Sequence, residues 1–99
     1  MIVIRSFRRR GTEEIFNGRD TKTARKTCPK DLWGVAARKL EQLDSAGRLE
    51  DLRAPPGNRL EALSGRRAGQ YSIRINDQYR VCFVWTPDGP ASVEIVDYH

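Results

Sequence analysis

Leu32, Ala36, Leu40 and Leu43 recur at spacings of four, four and three residues, and Trp33 and Ala37 widen the same stripe. That period lays one apolar face along a helix, with Arg38, Lys39, Glu41 and Gln42 on the wet side. It predicts a helix over Asp31–Ala46, with Pro29 tolerated at its entry and Gly47 as a left-handed residue just past its end. In the last third the pattern becomes alternation. Tyr71, Ile73 and Ile75 interleave with Gln70, Ser72, Arg74 and Asn76, and Tyr79, Val81, Phe83 and Trp85 with Arg80, Cys82 and Val84. Val93, Ile95 and Asp97 then alternate with Glu94, Val96 and Tyr98, after the turn-rich run Thr86-Pro87-Asp88-Gly89-Pro90. A period of two marks strands with one buried face, so these segments predict a three-stranded antiparallel meander.

The rest of the chain is patterned more weakly. Ile2, Val3 and Ile4 predict a short opening strand, stopped by Arg8-Arg9-Arg10-Gly11. Thr12 is placed to cap a short helix with Glu13 and Glu14 in its first turn, Ile15 and Phe16 on its inner face and Asn17-Gly18 at its end. From Arg19 to Lys30 almost nothing is apolar, which predicts a mobile loop or a segment that orders only on a partner. Leu49 and Leu52 form an apolar pair ahead of Ala54-Pro55-Pro56-Gly57-Asn58, where two prolines and a glycine predict a stiff loop without regular structure. With no repeat and no linker, residues 1–99 are expected to form one α+β domain, helices covering one face of the sheet.

Composition bounds the partners. The apolar fraction is 38%, enough for one modest core. Mean hydropathy is −0.65 with 31% charged residues, and no run approaches the roughly 20 apolar residues of a membrane span. The three aliphatics after Met1 fall short of a secretory signal, so the expected address is the cytoplasm, away from membranes. Cys28 and Cys82 form no Cys-x-x-Cys pair and read as buried, idle thiols. Charge is uneven: residues 1–30 hold nine Lys/Arg against three Asp/Glu, residues 31–64 five against six, and residues 65–99 four against four. The net charge of +5 and a pI near 9.7 favour a polyanionic partner.

Strand register points to a site. Directly paired cross-strand residues share a face, so strands whose apolar sets are both odd-numbered must pair at even sums. A three-residue loop, Asn76-Asp77-Gln78, puts Arg74 opposite Arg80 and Ser72 opposite Cys82, away from the core. Like charges directly opposite cost stability. Either an anion bound between them or solvation and the nearby Asp77 can offset that cost. The chain finishes Val96-Asp97-Tyr98-His99, with its one histidine, and a last strand beside the Arg80 strand can bring these side chains to the same rim. Arginines hold phosphate bidentately and stabilise transition-state charge. Tyrosine beside arginine, and histidine near neutral pH, can carry protons. No carboxylate or Cys/His cluster has metal-ligand spacing, and neither a glycine-rich phosphate loop nor a dinucleotide fingerprint occurs, so no metal or cofactor is expected. The chemistry best matched to these residues is phosphodiester cleavage by the 2′-hydroxyl of RNA.

Leu52-Arg53, Pro55-Pro56-Gly57-Asn58-Arg59-Leu60-Glu61-Ala62-Leu63, Gly65, the run Gly69-Gln70-Tyr71-Ser72-Ile73-Arg74-Ile75-Asn76-Asp77-Gln78-Tyr79-Arg80-Val81-Cys82-Phe83 and the closing Val96-Asp97-Tyr98-His99 resemble the HigB-type killer proteins of the RelE superfamily of toxin–antitoxin modules. The resemblance spans essentially the whole chain and is strongest from Leu52 to His99. It implies a compact α+β microbial-ribonuclease fold, with two N-terminal helices packed on an antiparallel sheet. It implies ribosome-dependent cleavage of mRNA, and a helix-turn-helix, HigA-like antitoxin through which alone operon DNA is contacted. Arg80 matches the arginine that meets the scissile phosphate, and Arg74 falls where the family places a catalytic lysine. Ser72 replaces a second lysine, and the upstream histidine of some members is absent here. Proton transfer is then expected of Tyr98 and His99, with Asp97 as orienter, and Arg66, Arg67 and Ser72 are expected to meet RNA. Two alternatives stand beside this reading: a non-catalytic basic module that binds RNA, DNA or the ribosome, and a weakly active relative in which Ser72 has cost activity.

Overall fold

A computed structural model describes residues 3–98. Helices α1 (Arg10–Phe16), α2 (Lys22–Thr27) and α3 (Trp33–Ser45) precede an antiparallel sheet of β1 (Glu61–Ala62), β2 (Tyr71–Arg74), β3 (Tyr79–Thr86) and β4 (Gly89–Asp97), in spatial order β1-β2-β3-β4. This is the expected α+β architecture with one helix more than expected, and with the short strand β1 at Glu61–Ala62 as the fourth strand instead of one at the start of the chain.

The periodic segment forms α3, entered through a 3₁₀ turn over Lys30–Leu32. Ala36, Leu40 and Leu43 are fully buried, as their spacing predicts. They meet Ile73, Val81, Phe83, Val93 and Ile95 from one face of the sheet. Gly47 is not left-handed. The helix leaves through Ala46 in an extended conformation, and the Gly47 and Arg48 amides donate to Asp51 Oδ2, each at 3.1 Å. That carboxylate does the work expected of a glycine turn.

The predicted opening strand does not form at Val3 and Ile4, and Ile2 lies outside the described residues. The Ile4 amide donates to Asp44 Oδ1 at 2.8 Å, which ties it to the end of α3. Sheet-like pairing comes later, where Phe7 makes an isolated parallel bridge to Val93. Thr12 is not a cap either. It lies inside α1, fully buried, and its hydroxyl accepts from the Ile95 amide at 3.0 Å, joining α1 to β4.

Residues 19–30, expected to lack regular structure, contain helix α2. Thr21 caps α2 by accepting from the Ala24 amide at 3.0 Å, and its hydroxyl donates to Glu14 Oε1 at 2.7 Å. Ala24 and Cys28 are buried, and Asp20 pairs with Arg25 and Lys30 at 2.8 and 2.7 Å. The helices pack so closely that a Cβ on Gly11 would overlap Thr27 Oγ1 and come within 2.8 Å of the Thr23 carbonyl. Gly11→Ala is therefore expected to lose about 1–3 kcal/mol by overpacking. Thermal unfolding checks this, and an unchanged midpoint contradicts it.

The proline-rich loop is more regular than expected, with 3₁₀ turns at Leu49–Arg53 and Pro56–Asn58. Asn58 is fully buried at its centre. Its amide donates to Gln42 Oε1 and to the Leu52 and Ala54 carbonyls, and its Oδ1 accepts from Lys39 Nζ. Burial pulls the Lys39 ammonium below its usual range. One side chain thus satisfies a backbone that two prolines leave short of donors.

Candidate active site on the polar face of the sheet

The register is as parity required. Arg74 stands opposite Arg80 and Ser72 opposite Cys82, and β4 continues the rows with Val96 opposite Arg80 and Glu94 opposite Cys82. The turn that sets this parity is held by Asn76, whose Oδ1 accepts from the Gln78 and Tyr79 amides at 2.9 and 2.7 Å. A bulge interrupts the β3–β4 pairing between Cys82 and Val84, beyond the rows that carry the site.

Arg80 is the best-held cation on this face, with its side chain 14% exposed. Nη1 donates to the buried Ser72 hydroxyl at 2.9 Å and Nη2 to Glu61 Oε1 at 3.4 Å. The Tyr98 ring packs against the guanidinium, 5.2 Å from Cζ to the ring centroid. The Tyr98 amide donates to the Gln78 carbonyl at 2.7 Å, which fixes Tyr98 at this rim. Arg74 pairs with Asp77. The like-charge cost of the Arg74–Arg80 pair is therefore offset by a carboxylate for each, Asp77 and Glu61. Asp77 was foreseen as one offset. Glu61 was not, because the two-residue strand β1 that delivers it carries no pattern of its own.

Ser72, where the resemblance leads one to look for a basic residue, is a fully buried acceptor beneath Arg80. A lysine there would set an ammonium against the guanidinium. Ser72→Lys is accordingly expected to lower stability and activity together. A gain in RNA cleavage by that variant would contradict this geometry.

Asp97 stands opposite Tyr79 in the register, on the core face rather than with Arg80 and Tyr98, and its Oδ2 accepts from Gln78 Nε2 at 3.1 Å. His99 lies outside the described residues. Arg66 is exposed on the turn Gly65–Arg67, whereas Arg67 turns inward to Glu94 and Gln70. Cys28 and Cys82 are buried free thiols, and burial, aided by the Asp31 charge, pushes Cys28 up to about 11.

Glu94 is 1% exposed on the same face, one row from Arg80. Nothing in the sequence marks it beyond its wet-side position in an alternating strand. Burial pushes its carboxyl up, but hydrogen bonds and charge from Arg67 and Arg9 outweigh burial and hold it below its ordinary value near 4.5. A lowered carboxyl stabilises the fold wherever it is ionised in both states, and that contribution fades as it becomes protonated. Stability should therefore fall as the pH drops below about 4.5, the ordinary value, and Glu94→Gln should flatten that acid limb. Acid titrations of unfolding in the two proteins check this.

Beside Val96, a cleft of about 570 Å³ opens between the helices and β4, lined by Arg9, Arg10, Lys26 and Asp97 among others. Three cations against one carboxylate give it a positive mouth.

A family described as the RelE-like toxin of type II toxin–antitoxin system HigB matches residues 5–99. Toxin HigB-1 of Vibrio cholerae serotype O1 is 48% identical over 71 residues, covering 72% of this chain and 74% of its own. An uncharacterized protein of Haemophilus influenzae is 44% identical over 55 residues, covering 56% of this chain and 54% of its own. With a match over nearly its full length, the chain belongs to the HigB-like, RelE-like toxins of type II toxin–antitoxin systems.

Proposed function

We propose that this toxin is a ribosome-dependent endoribonuclease that arrests translation by cutting mRNA. The observation that carries the reading is Arg80: a guanidinium held from below by Ser72 and stacked on Tyr98 at the open face of the sheet. A scissile phosphate arriving there displaces Glu61 and Asp77 as the anions facing Arg80 and Arg74. The 2′-hydroxyl loses its proton to a base and attacks the adjacent phosphorus. The P–O5′ bond breaks as the acid protonates the leaving oxygen, giving a 2′,3′-cyclic phosphate, or the 3′-phosphate after hydrolysis, and a 5′-hydroxyl. Arg80 and Arg74 bind charge that grows in the transition state, while Tyr98 and His99 serve as base and acid. Asp97 acts from the neighbouring face, orienting the chain end that carries both. Arg66 is the exposed cation for RNA backbone.

Type II membership supplies an antitoxin partner, which we take to be a helix-turn-helix, HigA-like protein that alone contacts operon DNA. No described helix is long and apolar enough to cross a membrane, and the ribosome places the reaction in the cytoplasm. Labelled mRNA in a translating extract tests the reading. Cleavage yields fragments with cyclic or 3′-phosphate ends, whereas a binding module stalls synthesis on intact mRNA.

A further inference from the structure

The row beside Arg80 runs Ser72, Cys82, Glu94 and ends in a carboxylate that the reaction above does not use. Arg67 Nη1 and Arg9 Nε each reach Glu94 at 2.9 Å, and Arg8 Nε lies at 3.9 Å. The acid is buried, but the cations around it are not: the Arg9 and Arg67 side chains are 67% and 32% exposed. A guanidinium carries five N–H donors in a fixed fork. Glu94 engages one nitrogen of Arg9, and Glu94 with Gln70 engages one nitrogen of Arg67, so most of each fork points elsewhere. Three arginines around one carboxylate leave an excess of positive charge. Its bond to Glu94 brings Arg67 to the face that carries Arg80.

We infer that Glu94 is a positioning residue that builds a second phosphate subsite, where Arg9 and Arg67 hold a phosphate of the RNA neighbouring the one at Arg80. The inference rests on the RNA-cleaving reading. Forks fixed before the ligand arrives lose little freedom on binding it, and planar forks suit phosphate oxygens. An RNA strand passing Tyr98 would meet Arg80 first and this cluster next, with Arg9 also forming part of the cationic cleft wall.

Positioning and mere charge predict opposite signs. Removing a negative charge should tighten RNA binding if only the number of charges matters, and weaken it if Glu94 holds the forks in place. The probes are a 2′-O-methylated trinucleotide with two phosphates and the corresponding dinucleotide with one, neither of which can be cleaved. Wild type is expected to bind the trinucleotide at least about tenfold tighter, with a salt dependence steeper by about 0.7 in log K against log salt, as one extra single-strand phosphate contact requires. Glu94→Gln should abolish that preference, with folding verified by circular dichroism. Arg67→Lys changes a side chain that is 32% exposed, keeps the charge beside Glu94 and loses the fork, so it decides the matter if the Gln variant does not fold. Equal or undetectable binding of the two probes by wild type, or trinucleotide binding by Glu94→Gln as tight as wild type, overturns the subsite. So does a full preference retained by Arg67→Lys. Cleavage in the translating extract is scored separately. Cleavage without trinucleotide preference removes the subsite and leaves the reaction, while preference without cleavage does the reverse.

Discussion

Arg80→Ala is expected to reduce mRNA cleavage in a translating extract by roughly 10²–10³-fold, the usual cost of removing one preorganised donor aimed at transition-state charge. The size of the effect follows from how Arg80 is held. Ser72 and Glu61 orient its two terminal nitrogens and Tyr98 covers its plane, so the guanidinium is in place before a phosphate arrives. Stability should change much less. The side chain lies on the polar face, and the main loss is a partner for the buried Ser72 hydroxyl, worth about 1 kcal/mol. Growth arrest on induction and the thermal midpoint, measured together, separate the two effects. A variant as toxic as wild type would remove Arg80 from the chemistry.

The second large effect is expected at the chain end. Deleting His99, or changing Tyr98 to Phe, should each lower cleavage by about 10²–10⁴-fold, the range for losing a positioned proton carrier. Tyr98 is 44% exposed, so its hydroxyl contributes little to the fold, and Tyr98→Phe keeps the ring against Arg80. Rate profiles against pH then divide the roles. Loss of the limb near neutral pH on removing His99 assigns that proton to the imidazole. Full activity in both variants would mean that the base comes from elsewhere, such as the ribosome.

The sheet and α3 were legible because their signals are local and redundant. Two alternating segments and an Asn-Asp-Gln turn permit one parity, and Asn76 enforces it through two backbone amides. The juxtaposition of Arg74 and Arg80 follows, as does the contact of Arg80 with Tyr98. Helix α2 was hidden because Ala24 is its one buried residue, too few for a period, and its stability comes from a threonine cap and packing against Gly11. Thr12 reads as a cap from its neighbours, but its hydroxyl is used 83 residues away at Ile95. Glu61 and Glu94 look like ordinary wet-side acids. What makes them part of the site is the arrival of Arg80 on one and of Arg9 and Arg67 on the other, from segments far apart in sequence. Buried polar networks are closed by tertiary structure, so a local pattern does not announce them.

The most direct test of RNA cleavage built on Arg80 is to map transcript 5′ ends after brief induction of the toxin, with Arg80→Ala induced in parallel. New 5′-hydroxyl ends inside translated reading frames, present with wild type and absent with the variant, are the expected result. Arrested translation with transcripts intact, or the same new ends from both proteins, would contradict it.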